Sequence, residues 1–188
     1  GGEIALTADG GIAGSSASSG QKFLADALDG VSIQNITSGG NIDVVTANGD
    51  IDIGTANAVG SIGYVNFGTG NLTAGDTTSG GNIFLLGLGD ISLASAKANG
   101  GYFDPSLDEQ AEGAIVVSST QNVMIGDAQA ATMIGINAAN LVGTGILNAG
   151  EDIAINVSGS ADLATASAGD DLTIQASGGI TIANAIAR

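Results

Sequence analysis

A short motif recurs along the whole chain: an apolar residue, any residue, and a second apolar residue. It follows a glycine or a polar residue each time, for example at Ile4–Leu6, Ile42–Val44, Ile83–Leu85, Ile153–Ile155 and Leu172–Ile174. A period of two over so short a span is typical of a β-strand, because successive side chains of a strand point to opposite faces. The pattern therefore predicts many short strands.

The motifs form ladders of nearly constant spacing. The first ladder advances by 19 to 21 residues, except for one step of 32 residues between Ile83 and Ile115. Its members are Ile4, Phe23, Ile42, Ile62, Ile83, Ile115, Ile134, Ile153 and Leu172. A second ladder trails the first by about half a repeat and contains the same long step. Its members are Ile12, Val31, Ile51, Leu72, Ile91, Val123, Leu141, Leu163 and Ile180.

A third, weaker ladder consists of alanine pairs two residues apart. Its members are Ala56 with Ala58, Ala96 with Ala98, Ala128 with Ala130, Ala166 with Ala168, and Ala183 with Ala185. Their small methyl groups suit a narrow corner of a packed core. We therefore expect two clear strands and a third, weaker strand in each repeat.

The ladders predict an all-β fold, a single parallel β-helix (β-solenoid) of about nine coils over residues 1–188. One repeat cannot bury its own apolar face, but stacked repeats can. Parallel crossovers are right-handed in about 98% of cases, so we expect a right-handed helix. With strands about 4.8 Å apart, nine coils give a rod of roughly 43 Å. The long step predicts one insertion near residues 101–113.

Composition excludes several classes of function. The 188 residues contain 19 acidic residues against three basic ones, giving a net charge of −16, and there is no histidine or cysteine. A nucleic-acid surface needs a lysine or arginine patch, which three basic residues cannot supply. Histidine- or cysteine-based triads, zinc sites and disulfides are excluded too. No run of about 18 apolar residues exists, so no transmembrane helix is expected.

Polar residues at the turns point to structural roles. An aspartate or asparagine directly precedes six members of the second ladder: Asp50, Asn71, Asp90, Asn122, Asn140 and Asp162. Stacked side chains of this type can accept hydrogen bonds from backbone N–H groups at a corner. We expect an Asx ladder along one corner of the solenoid.

The repeats resemble those of filamentous-haemagglutinin-like exoproteins, the β-helical adhesins that Gram-negative bacteria secrete by two-partner or autotransporter routes. The likeness rests on segments such as Gly49–Ala56 and Ala168–Ala183 and extends over the whole chain. It implies a segment of a longer repeat shaft, located outside the cell or on its surface. It implies a receptor on a host cell or a polysaccharide without identifying it.

Four carboxylates form the candidate metal site. Glu151 with Asp152 and Asp170 with Asp171 lie one repeat apart, so the two pairs should stack at about 4.8 Å. A bound Ca²⁺ would relieve the repulsion between them, since Ca²⁺ takes oxygen ligands. The alternative is that all four are solvated turn residues. No other cofactor is expected.

The insertion is the candidate partner contact. It contains Tyr102, Phe103 and Asp104, followed by the single proline of the chain, Pro105. Loops that project from a rigid scaffold often carry binding residues. We expect a short helical turn over residues 106–111. The alternative is a decoration that covers the edge of a coil.

These observations favour a structural rod segment of an extracellular adhesin or surface filament, with self-association or continuation into further coils. No catalytic residue is assigned. The alternative is a carbohydrate-active enzyme or polysaccharide-binding module on the same scaffold, with Asp50 and Asp52 as the two carboxylates of a glycoside hydrolase.

Overall fold

The computed structural model describes residues 1–104 and 109–188, in which the regular secondary structure is entirely β-strand. The first strands are β1 (Ile4–Ala8), β2 (Ile12–Ser19), β3 (Phe23–Ala27), β4 (Val31–Ser38), β5 (Ile42–Thr46), β6 (Ile51–Ala58), β7 (Ile62–Asn66), β8 (Leu72–Ser79), β9 (Ile83–Gly87) and β10 (Ile91–Ala98). The others are β11 (Phe103–Asp104), β12 (Glu109–Gln110), β13 (Ile115–Ser119), β14 (Asn122–Ala130), β15 (Ile134–Ala138), β16 (Asn140–Thr144), β17 (Ile146–Ala149), β18 (Ile153–Val157), β19 (Ala161–Ala168), β20 (Leu172–Ala176) and β21 (Ile180–Ile186).

Two parallel sheets wrap around one core. Sheet A holds the short strands, in the order β1, β3, β5, β7, β9, β13, β15, β18 and β20. Sheet B holds the long strands, in the order β2, β4, β6, β8, β10 and β14, then β16 with β17, β19 and β21. Each coil places one short strand in sheet A and one long strand in sheet B, except that β16 and β17 together occupy the place of one long strand. The chain is therefore a β-solenoid of about nine coils, as the ladders predict.

The first ladder is confirmed at every step. Each of its members lies beside the next in sheet A, from Ile4 beside Phe23 to Ile153 beside Leu172. From Phe23 to Ile153 these side chains are almost completely buried. Like residues stack on like residues in a core built mainly of isoleucine, leucine and valine.

The second ladder is confirmed as far as Leu141, and its next member is wrong. Ala161, not Leu163, lies beside Leu141 and Ile180, while Leu163 pairs with Ile182. The preceding coil carries a β-bulge at Val142, where the register with β14 shifts. A bulge inserts one extra residue into a strand. The spacing therefore changes locally, and the rung falls on a small alanine that an aliphatic ladder does not identify.

The alanine ladder is not a separate strand. In β6, the buried residues are Ile51 and Ile53, then Ala56 and Ala58, with two outer residues in succession between the two pairs. The alternation of buried and outer side chains shifts by one residue between Ile53 and Ala56. The strand therefore bends there, and its second half lines a third side of the core. Ala166 lies beside Ala185, which makes the inclusion of Ala183 in this ladder wrong.

The insertion leaves the solenoid between β10 and β13. Gly100, Gly101 and Gly113 have positive φ angles of 73°, 82° and 83°, which glycine adopts without strain. β11 and β12 pair antiparallel, so the expected helical turn is wrong where Glu109 and Gln110 form a strand. The part of the insertion from Pro105 to residue 108 lies outside the described residues. At Glu109 and Gln110, pairing with β11 takes the place of the helical turn, whose nucleation is costly.

The largest buried side chain of the core, Tyr64, carries a polar hydroxyl. Tyr64 is fully buried between Val44 and Leu85, and its hydroxyl lies near that of Thr77. Neither hydroxyl makes a hydrogen bond of standard geometry. Burial raises the pKa of Tyr64, and the nearby Thr77 hydroxyl offsets part of that effect.

This tyrosine predicts a loss of stability at alkaline pH. The folded-state pKa of Tyr64 is raised. The contribution of the neutral tyrosine to the free energy of unfolding is therefore fully present below the unfolded pKa of about 10, and it is lost as pH rises toward the folded value. The expected loss is about 1.4 kcal/mol per pH unit above 10. Urea unfolding of the parent and of Tyr64→Phe between pH 8 and 11.5 measures it. Equal pH dependence in both proteins would contradict the assignment.

Candidate interaction surface

The four candidate calcium ligands stack as predicted. The backbone N–H of Asp170 donates to the Glu151 carbonyl over 2.9 Å, and that of Asp171 donates to Asp152 Oδ1 over 3.1 Å. Asp152 is partly buried, and the other three residues are exposed. One oxygen of Asp152 is thus engaged in holding the next coil. The two pairs lie on successive coils at one corner.

The four carboxylates at this corner do not surround a position for a metal ion. Within residues 1–104 and 109–188, no group of three or more acidic side chains is arranged to hold a metal ion. Three exposed carboxylates and one shared with the backbone also fit the alternative of solvated turn residues. Calcium binding at this corner stays a prediction.

The residues of the predicted partner contact lie on the hairpin. The N–H of Gly101 donates to Ala111 over 2.8 Å, and that of Ala111 donates to the Tyr102 carbonyl over 2.7 Å. Tyr102 is partly buried, and Phe103 and Asp104 form β11. The hairpin emerges where sheet B passes to sheet A. Its role in binding a partner stays a prediction.

A ladder of side chains along one corner is confirmed over five coils. The N–H of Asn71 donates to Asp50 Oδ1 over 2.7 Å, that of Asp90 to Asn71 Oδ1 over 3.1 Å, and that of Asn122 to Asp90 Oδ1 over 3.0 Å. Asn140 continues the ladder, accepting from the N–H of Ser160 over 3.1 Å. The next rung is therefore Ser160, and the assignment of Asp162 is wrong, because Asp162 lies two residues further along, beside Thr181.

The outer surface of sheet A has an unusual distribution of charge. Every outward side chain of β7, β9, β13, β15, β18 and β20 is uncharged, which defines the uncharged face. The two carboxylates on this side of the molecule are Asp26 in β3 and Asp43 in β5, and Asp43 Oδ2 lies 2.7 Å from Lys22 Nζ. The six charge-free strands are contiguous in a protein whose net charge is −16.

Large apolar side chains cluster at one end of this face. Four of them are well exposed: Phe67 by 65%, Phe84 by 43%, Leu86 by 47% and Leu88 by 44%. Val65 lies beside Leu86, and Val116 lies beside Phe84. These six residues define the apolar patch. Contiguous exposed apolar surface of this kind marks interaction sites more often than isolated apolar residues do.

The apolar patch is not among the sites predicted from the sequence. Its signal is the run from Ile83 to Leu88, in which the outward positions Phe84, Leu86 and Leu88 are as apolar as the inward ones. An outward position on a half-exposed strand is usually polar. A strand that is apolar on both sides indicates a covered outer face.

Comparison with protein-family models, with curated proteins and with solved structures gives no match. In the part of the chain that the structure describes, there is no helix long and apolar enough to cross a membrane.

Proposed function

We propose that this chain is a structural rod segment of an extracellular bacterial adhesin or surface filament. The observation that carries the proposal is the uniformity of the coils: the same core rung is repeated in sheet A from Ile4 to Leu172. Repeat stacks of this kind form stiff, quasi-one-dimensional scaffolds. In this role, the work of the chain is to project binding elements and to hold their spacing.

The proposal includes self-association or continuation into further coils. Ile4 and Ile12 in the first coil and Ile174 and Ile182 in the last coil are partly exposed core residues. Unpaired strand edges are templates for further pairing. In the proposed filament, each edge pairs with another coil, of the same chain or of a neighbour.

The alternative, a carbohydrate-active protein, depends on Asp50 and Asp52. Both are exposed and border one shallow depression near Asp29. Asp50 Oδ1 accepts the N–H of Asn71, so this carboxylate has a structural role in the corner ladder. That contact supports the rod in preference to glycoside hydrolysis.

Surface labelling of the organism that makes the protein tests the proposal. An antibody raised against this chain should label intact cells as strongly as lysed cells, and protease treatment of intact cells should remove the signal. Labelling only after lysis would overturn an extracellular role. Release of reducing sugar from polysaccharides that is lost in Asp52→Asn would favour the enzyme instead.

A further inference from the structure

We propose that two copies of this chain pair side by side through the uncharged face of sheet A, with their rod axes antiparallel. This goes beyond the role of a rod segment, because it assigns a specific lateral interface and a register. It concerns the purified chain alone, so its test does not depend on where the protein acts.

Among the sides of the solenoid, the uncharged face is the one on which two copies can meet without repulsion between carboxylates. The outward residues of sheet B include Asp52, Asp76 and Asp127, and the corners carry Asp90 and Asp170 among others. Contact through those surfaces would place carboxylates of two copies against each other, and like charges across an interface cost several kcal/mol. The uncharged face allows contact between two copies without that cost. Interface cores are likewise depleted in charge and enriched in aromatic residues.

The size of the face fits a reversible dimer. Six strands of five residues, each about 17 Å long and spaced about 4.8 Å apart, give a projected area of about 490 Å² per copy. A standard stable interface buries about 800 Å² per partner. The pairing should therefore be concentration-dependent and should place the apolar patch at its most buried part.

The relief of the face is self-complementary. Phe84 and Leu86 project at one end, and a shallow depression lined by Val116, Gly135 and Ala154 lies beside them. Val116 lies between Phe84 and Gly135 in adjacent strands. A twofold axis through Val116 places Phe84 of each copy over Gly135 of the other. In such an isologous contact, the same pairing of Phe84 with the depression at Gly135 occurs twice, once in each direction.

The same register keeps Asp43, the sheet A carboxylate nearest the uncharged face, away from its counterpart. Asp43 in β5 lies three strands before Val116, and Thr173 in β20 lies three strands after it. The twofold axis therefore brings Asp43 of one copy opposite Thr173 of the other. No two carboxylates of sheet A meet in this register.

Sedimentation equilibrium tests the pairing. We expect dimers whose dissociation constant falls as NaCl rises from 20 to 500 mM, because salt screens the repulsion between two copies of charge −16. Phe84→Asp should weaken association at least tenfold, whereas Thr37→Asp, which adds the same charge on the exposed face of sheet B, should weaken it much less. Circular dichroism establishes that both variants are folded.

Cross-linking tests the register. The chain has no cysteine, so Val116→Cys introduces a single thiol at the proposed axis, and Ser32→Cys on sheet B is the matched control. A bis-maleimide with a two-carbon linker should join Val116→Cys copies and leave Ser32→Cys monomeric. Monomers at every salt and protein concentration, undiminished pairing of Phe84→Asp, or preferential linkage of Ser32→Cys would each overturn the proposal.

Discussion

Replacing Ile153 by aspartate is expected to unfold the C-terminal coils and to lower the free energy of unfolding by about 5 kcal/mol or more. The side chain is 1% exposed and lies beside Ile134 and Leu172. Removal of a buried isoleucine side chain costs about 2–5 kcal/mol, and an unpaired carboxylate in the core adds a further penalty. Each coil contacts only its neighbours, so the damage should begin at this rung.

Hydrogen exchange read along the chain measures this outcome together with urea unfolding. Amides from residue 150 onward should lose protection, while those of the first five coils keep it. Asn156→Asp is the control, since it adds the same charge to β18 at an exposed outward position. Unchanged protection in Ile153→Asp, or equal damage in both variants, would contradict the assignment of Ile153 to the core.

The coil arrangement could be predicted because inward positions are strongly constrained. Phe23, Ile42 and Ile62 stack directly on one another and exclude water, so their spacing records the length of a coil. The prediction failed where geometry changed without a change in hydrophobicity. The bulge beside Val123 changes the number of residues between successive members of the second ladder, and the small Ala161 occupies the next position.

The candidate surface could be predicted only in part. Stacking of Asp152 on Asp171 follows from a constant repeat, and the structure confirms it. The apolar patch required a different kind of evidence, because Val65 and Phe67 lie in one coil and Leu86 and Leu88 lie in the next. Their proximity depends on the register of β7 against β9, which a ladder of inward residues does not specify for outward side chains.

Gly49→Ala is expected to lower the free energy of unfolding by about 3 kcal/mol through a clash at one corner. A Cβ atom at Gly49 would overlap the carbonyl oxygen of Asp29 in the preceding coil. Gly70 and Gly89 follow in the next two coils, and a Cβ atom there would overlap the carbonyl of the preceding glycine. The column of glycines lets the backbones of successive coils approach closely, so one methyl group forces them apart.

The displacement should also disturb the polar contacts of this corner. The Gly49 carbonyl accepts a hydrogen bond from Asn66 Nδ2 over 2.8 Å, and Asn66 is buried. Gly14→Ala is the matched control, since a Cβ atom at Gly14 meets nothing within 4 Å and the same substitution restricts the unfolded chain. Urea unfolding should therefore give a much lower midpoint for Gly49→Ala and an unchanged or slightly higher one for Gly14→Ala. Equal midpoints would show that the corner can relax, and that the close stacking of the coils does not require glycine there.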